Sequence, residues 1–144
     1  MLFLDVNVCL YAFRPTISET SRTVAAWLDE HLAGPERILV SESVLASMIR
    51  IATHPRVFEE PASPADALAF ADALLAVPRV GVARPGPDAW SIFSGYVRDL
   101  RLVGNDVADA YLAAVTVDAG ASMVTTDRGF TRFPGLRTVD PLGD

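Results

Sequence analysis

Along this chain, short unbroken apolar blocks alternate with stretches in which apolar residues recur every three or four positions. Leu2, Phe3 and Leu4 form one such block and stop at Asp5; Ile38-Leu39-Val40 form a second after Gly34-Pro35. Runs of this length are too short for helices and lack the in-and-out alternation of a half-exposed strand, so they read as strands buried on both faces. Met123 to Thr126 is a further run that delivers Asp127, and Val80 to Ala83 is a weaker one diluted by Gly81.

The intervening segments carry helical spacing. Val24, Trp27, Leu28 and Leu32 mark a helix from Ser18 to Leu32, ended by Gly34-Pro35. Val44 to Thr53 reads as a second helix that closes before Pro55, because the residue preceding a proline disfavours helical geometry. Ser63 is placed to cap a third that runs to Val77, with Pro64 in its first turn. Pro87 to Leu102 puts Trp90, Phe93, Tyr96, Val97 and Leu100 on one apolar side, and Asp106 to Gly120 forms the last helix, with Asn105 or Asp106 as its natural cap. Strands alternating with helices require crossover connections and hence a parallel sheet. The pattern predicts a three-layer α/β/α fold with a central parallel sheet of four to five short strands, as a single domain over residues 1–144.

Composition narrows this picture. A chain of 144 residues, 51% hydrophobic and 21% charged, has room for one ordinary core. No apolar run approaches the ~20 residues of a membrane span, and Leu2 follows Met1 without a basic stretch or cleavage site, so a cytoplasmic protein with no membrane partner is expected. Cys9 is the only cysteine, and His31 and His54 are the only histidines, which excludes a disulfide and a thiolate or imidazole zinc cage. Any bound metal must be held by oxygen. The net charge of −6 argues against a protein that coats nucleic acid non-specifically, though not against a nuclease.

The chemistry concentrates in carboxylates. Asp5 and Asp127 both follow apolar strands, and in parallel α/β sheets ligands bind beyond the carboxyl ends of the strands. If the two strands are near neighbours, ~4.8 Å apart, their ionised carboxylates repel unless a cation sits between them or one is protonated. Asp106 and Asp109 share a helix face, three residues apart. One of them suffices for capping, and Asp109, one turn inside the helix, is the better ligand candidate. Oxygen ligands alone favour magnesium or manganese.

Three segments form a recognisable pattern: Leu4-Asp5-Val6-Asn7-Val8-Cys9-Leu10, Val107-Ala108-Asp109-Ala110-Tyr111-Leu112-Ala113-Ala114 and Val124-Thr125-Thr126-Asp127-Arg128-Gly129-Phe130. In this order and spacing the chain resembles PIN-domain toxins of the VapC type. The resemblance covers the whole chain, and Arg50 to Phe58 and Phe133 to Leu136 look like an actinobacterial or mycobacterial subgroup. It implies a magnesium- or manganese-dependent endoribonuclease that leaves 5′-phosphate and 3′-hydroxyl ends, is inhibited by a cognate VapB-type antitoxin, and often forms homodimers. It places Asp5, Asp109 and Asp127 on the family's acidic positions, with Asn7, Thr125 and Thr126 as hydrogen-bonding support. At the position where the family commonly carries a glutamate, after the second strand, this chain has Ser47. Glu42 or Asp106 are the alternatives for the absent charge, and one versus two metals stays open. Arg14, Arg50, Arg56, Arg128 and Arg132 are candidates to contact RNA, Arg128 first because it adjoins Asp127.

Two rival functions compete on the residues. Aspartyl-phosphate phosphatases also open with a strand ending in aspartate, but they need a second aspartate two residues on and a later lysine. Here that position is Asn7, and the chain contains no lysine. The other rival is a catalytically degenerate PIN domain that binds a partner or RNA, a reading that Ser47 keeps open.

Overall fold

The computed structural model describes residues 1–143. Five strands form one parallel sheet: β1 (Leu2–Leu4), β2 (Ile38–Val40), β3 (Val80–Val82), β4 (Ser122–Val124) and β5 (Arg137–Val139). Each is three residues long, and β1 and β2 are buried at every position, which explains their unbroken apolar runs. Six helices flank the sheet: α1 (Val6–Phe13), α2 (Glu19–Ala33), α3 (Glu42–Ala52), α4 (Pro64–Leu75), α5 (Ala89–Asp99) and α6 (Asn105–Asp118).

The strand order is β3-β2-β1-β4-β5. From β1 the chain steps outward through β2 to β3, and then returns across the sheet to β4 on the other side of β1. Right-handed crossovers therefore place α1 to α4 on one face and the α5–α6 pair on the other. Packing agrees: α1 lies against α2 and α3, α3 against α4, and α5 against α6. The direction of progression reverses between β1 and β4, which pair in register as Leu2 with Ser122, Phe3 with Met123 and Leu4 with Val124. Phe3, Leu4, Val40, Met123 and Val124 fill the middle layer at 0% exposure.

Caps set most helix starts. The hydroxyls of Ser18, Ser41 and Ser63 accept hydrogen bonds from Ser21, Ser43 and Asp66 N–H groups, and Pro64 occupies the first turn of α4. α1 was not expected, because Val6-Asn7-Val8-Cys9-Leu10-Tyr11 offers no polar face at helical spacing; the structure buries Val8 and Cys9 fully and makes Asp5 the cap. Neither Asn105 nor Asp106 caps α6: Gly104, at φ +60°, holds the cap position with no side-chain bond, a backbone shape that suits glycine. Trp90 also departs from the expected apolar side of α5, being 68% exposed while Tyr96 of the same set is buried. Among the described residues no helix is long and apolar enough to cross a membrane.

Candidate active site

Asp5 leaves the end of β1 with its backbone N–H bonded to the Val124 carbonyl at 3.1 Å, so the β1–β4 ladder itself fixes where this residue turns. Its side chain then caps α1, with Oδ1 accepting from Val6 N–H at 2.7 Å. Oδ2 accepts from Thr125 Oγ1 at 2.7 Å and from Asn7 Nδ2 at 2.9 Å. The carboxylate is 4% exposed. Burial pushes its pKa above the ordinary aspartate value, the Thr125 and Val6 hydrogen bonds draw it back, and the charge of Asp127 raises it again.

Asp127 stands three residues beyond β4. The Thr125 hydroxyl accepts its N–H at 3.0 Å, and its own Oδ1 accepts from Gly129 N–H at 2.8 Å, starting a short 3-10 turn over Arg128–Arg132. Asn7 bridges the two strand ends, because its Oδ1 accepts from Thr126 N–H at 3.3 Å while its Nδ2 reaches Asp5. Thr125 and Asn7 therefore lock Asp5 and the Asp127 turn into one hydrogen-bonded unit, with Thr126 contributing through its backbone.

Asp109 arrives from α6. Its acid is also raised above the usual value, first by burial, then by the charges of Asp5 and Asp127, with Arg132 acting in the opposite sense and Asp106 adding a smaller rise. The three acids thus share one electrostatic neighbourhood at the carboxyl edge of the sheet, where the topology reverses. Arg132 partly balances it: its NH2 lies 3.3 Å from Asp106 Oδ1 and 3.5 Å from Asp109 Oδ2, with the guanidinium stacked over Phe133 at 4.8 Å. Among the described residues no basic side chain touches Asp5.

The remaining candidates separate. Glu42 lies in the exposed first turn of α3, 3.7 Å from Arg84, and contributes nothing to the raised acids. Asp106 is exposed and tied to Arg132. Ser47 is half-buried on α3. Arg14 donates to the Glu60 carbonyl at 2.9 Å and stacks over Phe58, Arg50 is exposed on α3, and Arg128 is exposed next to Asp127. Sequence reasoning ranked Arg128 ahead of Arg132, yet Arg132 is the arginine that reaches the acids. The 3-10 turn that carries it back toward α6 leaves no periodic signal in the sequence.

The donor set is all oxygen, and two of its carboxyls are held against burial and mutual repulsion, a combination that suits a hard divalent cation. Among the described residues no three acids converge tightly enough to enclose an ion as they stand. An open arrangement still fits magnesium, which keeps several waters and takes few protein ligands.

A doubly wound parallel sheet with acids gathered at its reversal point defines the class: the chain belongs to the PIN-domain family, matched over residues 2–136. Within that class it belongs with the VapC ribonucleases. It is 44% identical to Ribonuclease VapC43 of Mycobacterium tuberculosis over 143 residues, covering 99% of this chain and 96% of the relative. It is 36% identical to Ribonuclease VapC31 of the same organism over 141 residues, covering 98% and 99%. In structure it resembles VapBC2 of Rickettsia felis bound to a promoter DNA fragment, with a TM-score of 0.69, 20% identity and coverage of 96% and 98%. It also resembles FitAcB of Neisseria gonorrhoeae, with a TM-score of 0.66, 19% identity and coverage of 99% of both chains. At these identities the two structures establish the fold.

Proposed function

We propose that this protein is a magnesium- or manganese-dependent endoribonuclease that acts as the toxin of a VapBC-type pair, with Asp5, Asp109 and Asp127 as its metal-binding and catalytic residues. The carrying observation is Asp5: a carboxylate 4% exposed, beside two further acids, with no basic side chain among the described residues in contact with it. Burying a charge without a counter-ion is costly, so the arrangement calls for a cation from outside the chain.

A divalent ion held there supplies an activated water and charge neutralisation for in-line displacement at phosphorus. The chain's own residues do the positioning. Thr125 and Asn7 fix Oδ2 of Asp5 and the Val6 N–H fixes Oδ1, leaving the lone pairs not used by protein donors to face the site. Asp127 is held by its turn, and Asp109 supplies the third carboxylate from the helix side. Arg132, within 3.5 Å of both Asp109 and Asp106, is placed to contact a phosphate at the site. Glu42, paired with Arg84 away from the cluster, is left out of the metal site.

The partner is a cognate antitoxin, a reading supported by structural neighbours that are VapBC and FitAB complexes and a toxin–antitoxin complex from Klebsiella pneumoniae. A homodimer is the expected free state, and size-exclusion chromatography with light scattering checks it. The activity is tested by incubating purified protein with total RNA and magnesium or manganese, with and without chelator, and mapping the ends. Metal-dependent internal cleavage leaving 5′-phosphates, absent in Asp5→Asn, is expected. No cleavage, together with equal metal binding by wild type and Asp5→Asn, overturns the enzyme in favour of a binding module.

A further inference from the structure

Beyond Asp127, on the side of β5, the same edge of the sheet opens into a cavity of about 570 Å³. Its walls include Thr126, Asp127, Arg128, Thr131, Thr138 and Asp140, and it reaches neither Asp5 nor Asp109. The volume falls in the range of small-molecule sites. It shares Thr125 and Asp127 with the carboxylate cluster, so whatever occupies it lies next to the reacting phosphate if the ribonuclease reading holds, on which this inference rests.

The lining says which part of an RNA chain fits. Two carboxylates, Asp127 and Asp140, line the cavity with only one guanidinium, Arg128, which makes it a poor place for a phosphate and a suitable one for the uncharged sugar and base. Threonine hydroxyls supply both donors and acceptors. The Asp140 carboxylate is fixed in orientation, because Oδ1 accepts from Leu142 N–H at 2.9 Å. An ionised carboxylate only accepts hydrogen bonds, so it selects bases by their N–H groups. Guanine alone carries an imino and an amino N–H side by side on its pairing edge; adenine and cytosine offer one amino group and uracil one imino. Arg128 adds a planar cation on which an unstacked base can lie.

We propose that this cavity is the subsite for the nucleoside adjoining the cleaved phosphate, and that Asp140 makes it selective for guanosine.

The test has two arms. Short single-stranded RNAs carrying one guanosine, replaced in turn by inosine, adenosine, cytidine or uridine, are cleaved by wild type, Asp140→Asn and Thr138→Val, and kcat/KM is measured at each linkage. Wild type is expected to prefer linkages beside guanosine by roughly ten- to a hundredfold, as a bidentate base contact provides. Inosine, which lacks the amino group, loses part of that preference. Asp140→Asn flattens it, and Thr138→Val raises KM without changing the order of bases. In the second arm, guanosine 5′-monophosphate and uridine 5′-monophosphate are titrated into metal-free protein in chelator while backbone amide shifts are followed. The guanosine nucleotide is expected to move the Thr126, Thr131 and Thr138 amides, in wild type and Asp5→Asn alike and less in Asp140→Asn.

Equal cleavage beside all four bases, or the same preference in Asp140→Asn as in wild type, overturns the subsite. So does a nucleotide response that leaves these three amides unmoved. Absence of any RNA cleavage combined with guanosine-specific shifts at these amides supports the pocket while removing the nuclease reading, so the two failures are distinguishable.

Discussion

Thr125 holds together the two strand ends that carry acids. Its hydroxyl donates to Asp5 Oδ2 at 2.7 Å and accepts from Asp127 N–H at 3.0 Å and Asn7 Nδ2 at 3.3 Å, using its full hydrogen-bonding capacity. Thr125→Val keeps the shape and removes all three bonds, leaving a buried carboxylate oxygen under-satisfied. A loss of about 1–3 kcal/mol in chemical denaturation is expected, with Thr125→Ser close to wild type. Asp109→Asn should behave in the opposite way. At neutral pH its ionised form is held against partial burial and the charges of Asp5 and Asp127, and the attraction it forfeits, to Arg132 at 3.5 Å, is a half-exposed contact of small value. In chelator the variant is expected to melt a degree or two above wild type while losing nuclease activity; Asp106→Asn should only weaken that activity. The reverse order of the two activities would assign the helical ligand to Asp106. Of these residues, the acids were legible in the sequence by type and position. The bridging by Thr125 and Asn7 needed the β1–β4 pairing, since the partners are 118 or more residues apart.

Among the elements, α1 shows most clearly what periodicity can and cannot reveal. A helix with an exposed face prints a 3.6-residue pattern; α1 lies against α2 and α3 and has no strongly polar face to print one. Cys9 sits within it at 0% exposure, and burial, aided by the charge of Asp5, pushes the thiol up to about 12. An aromatic disulfide reagent should therefore leave Cys9 unmodified in the native protein and label it fully on denaturation. β5 escaped a definite assignment for another reason: Arg137 and Thr138 are exposed on an edge strand, so no apolar block marks it. The serine-capped helices α2, α3 and α4 are legible because a serine before an apolar periodic run is a local device. Ser63→Ala removes the bond to Asp66 N–H at 3.1 Å and is expected to cost about 1 kcal/mol of unfolding free energy without altering cleavage.

For the whole molecule, the proposed cation would couple stability to activity. Magnesium or manganese that binds only the folded state should stabilise it by about 2.7 kcal/mol at a hundredfold excess over Kd, seen as a concentration-dependent, chelator-reversible rise in melting temperature. Asp5→Asn should abolish that response. Calcium, with the same charge, is a useful contrast if it stabilises without supporting cleavage. The net charge of −6 makes long-range attraction to RNA weak, so on the proposed reading recognition rests on the carboxyl edge of the sheet, with Arg132, Arg128 and the cavity beside Asp127.

The sequence by itself determined the α/β class, four of the five strands and five of the six helices, and it marked the three acids as candidates, because strands buried on both faces, helical spacing and ionisable side chains are written in local residue types. Only the tertiary structure decided the strand order, and with it the adjacency of β1 and β4 that brings Asp5 and Asp127 to one reversal point. The same holds for the swing of Arg132 back to Asp109 and for the cavity between the 3-10 turn and β5. These features depend on which distant segments become neighbours, a choice made by crossover handedness and packing of the whole core that no local pattern records.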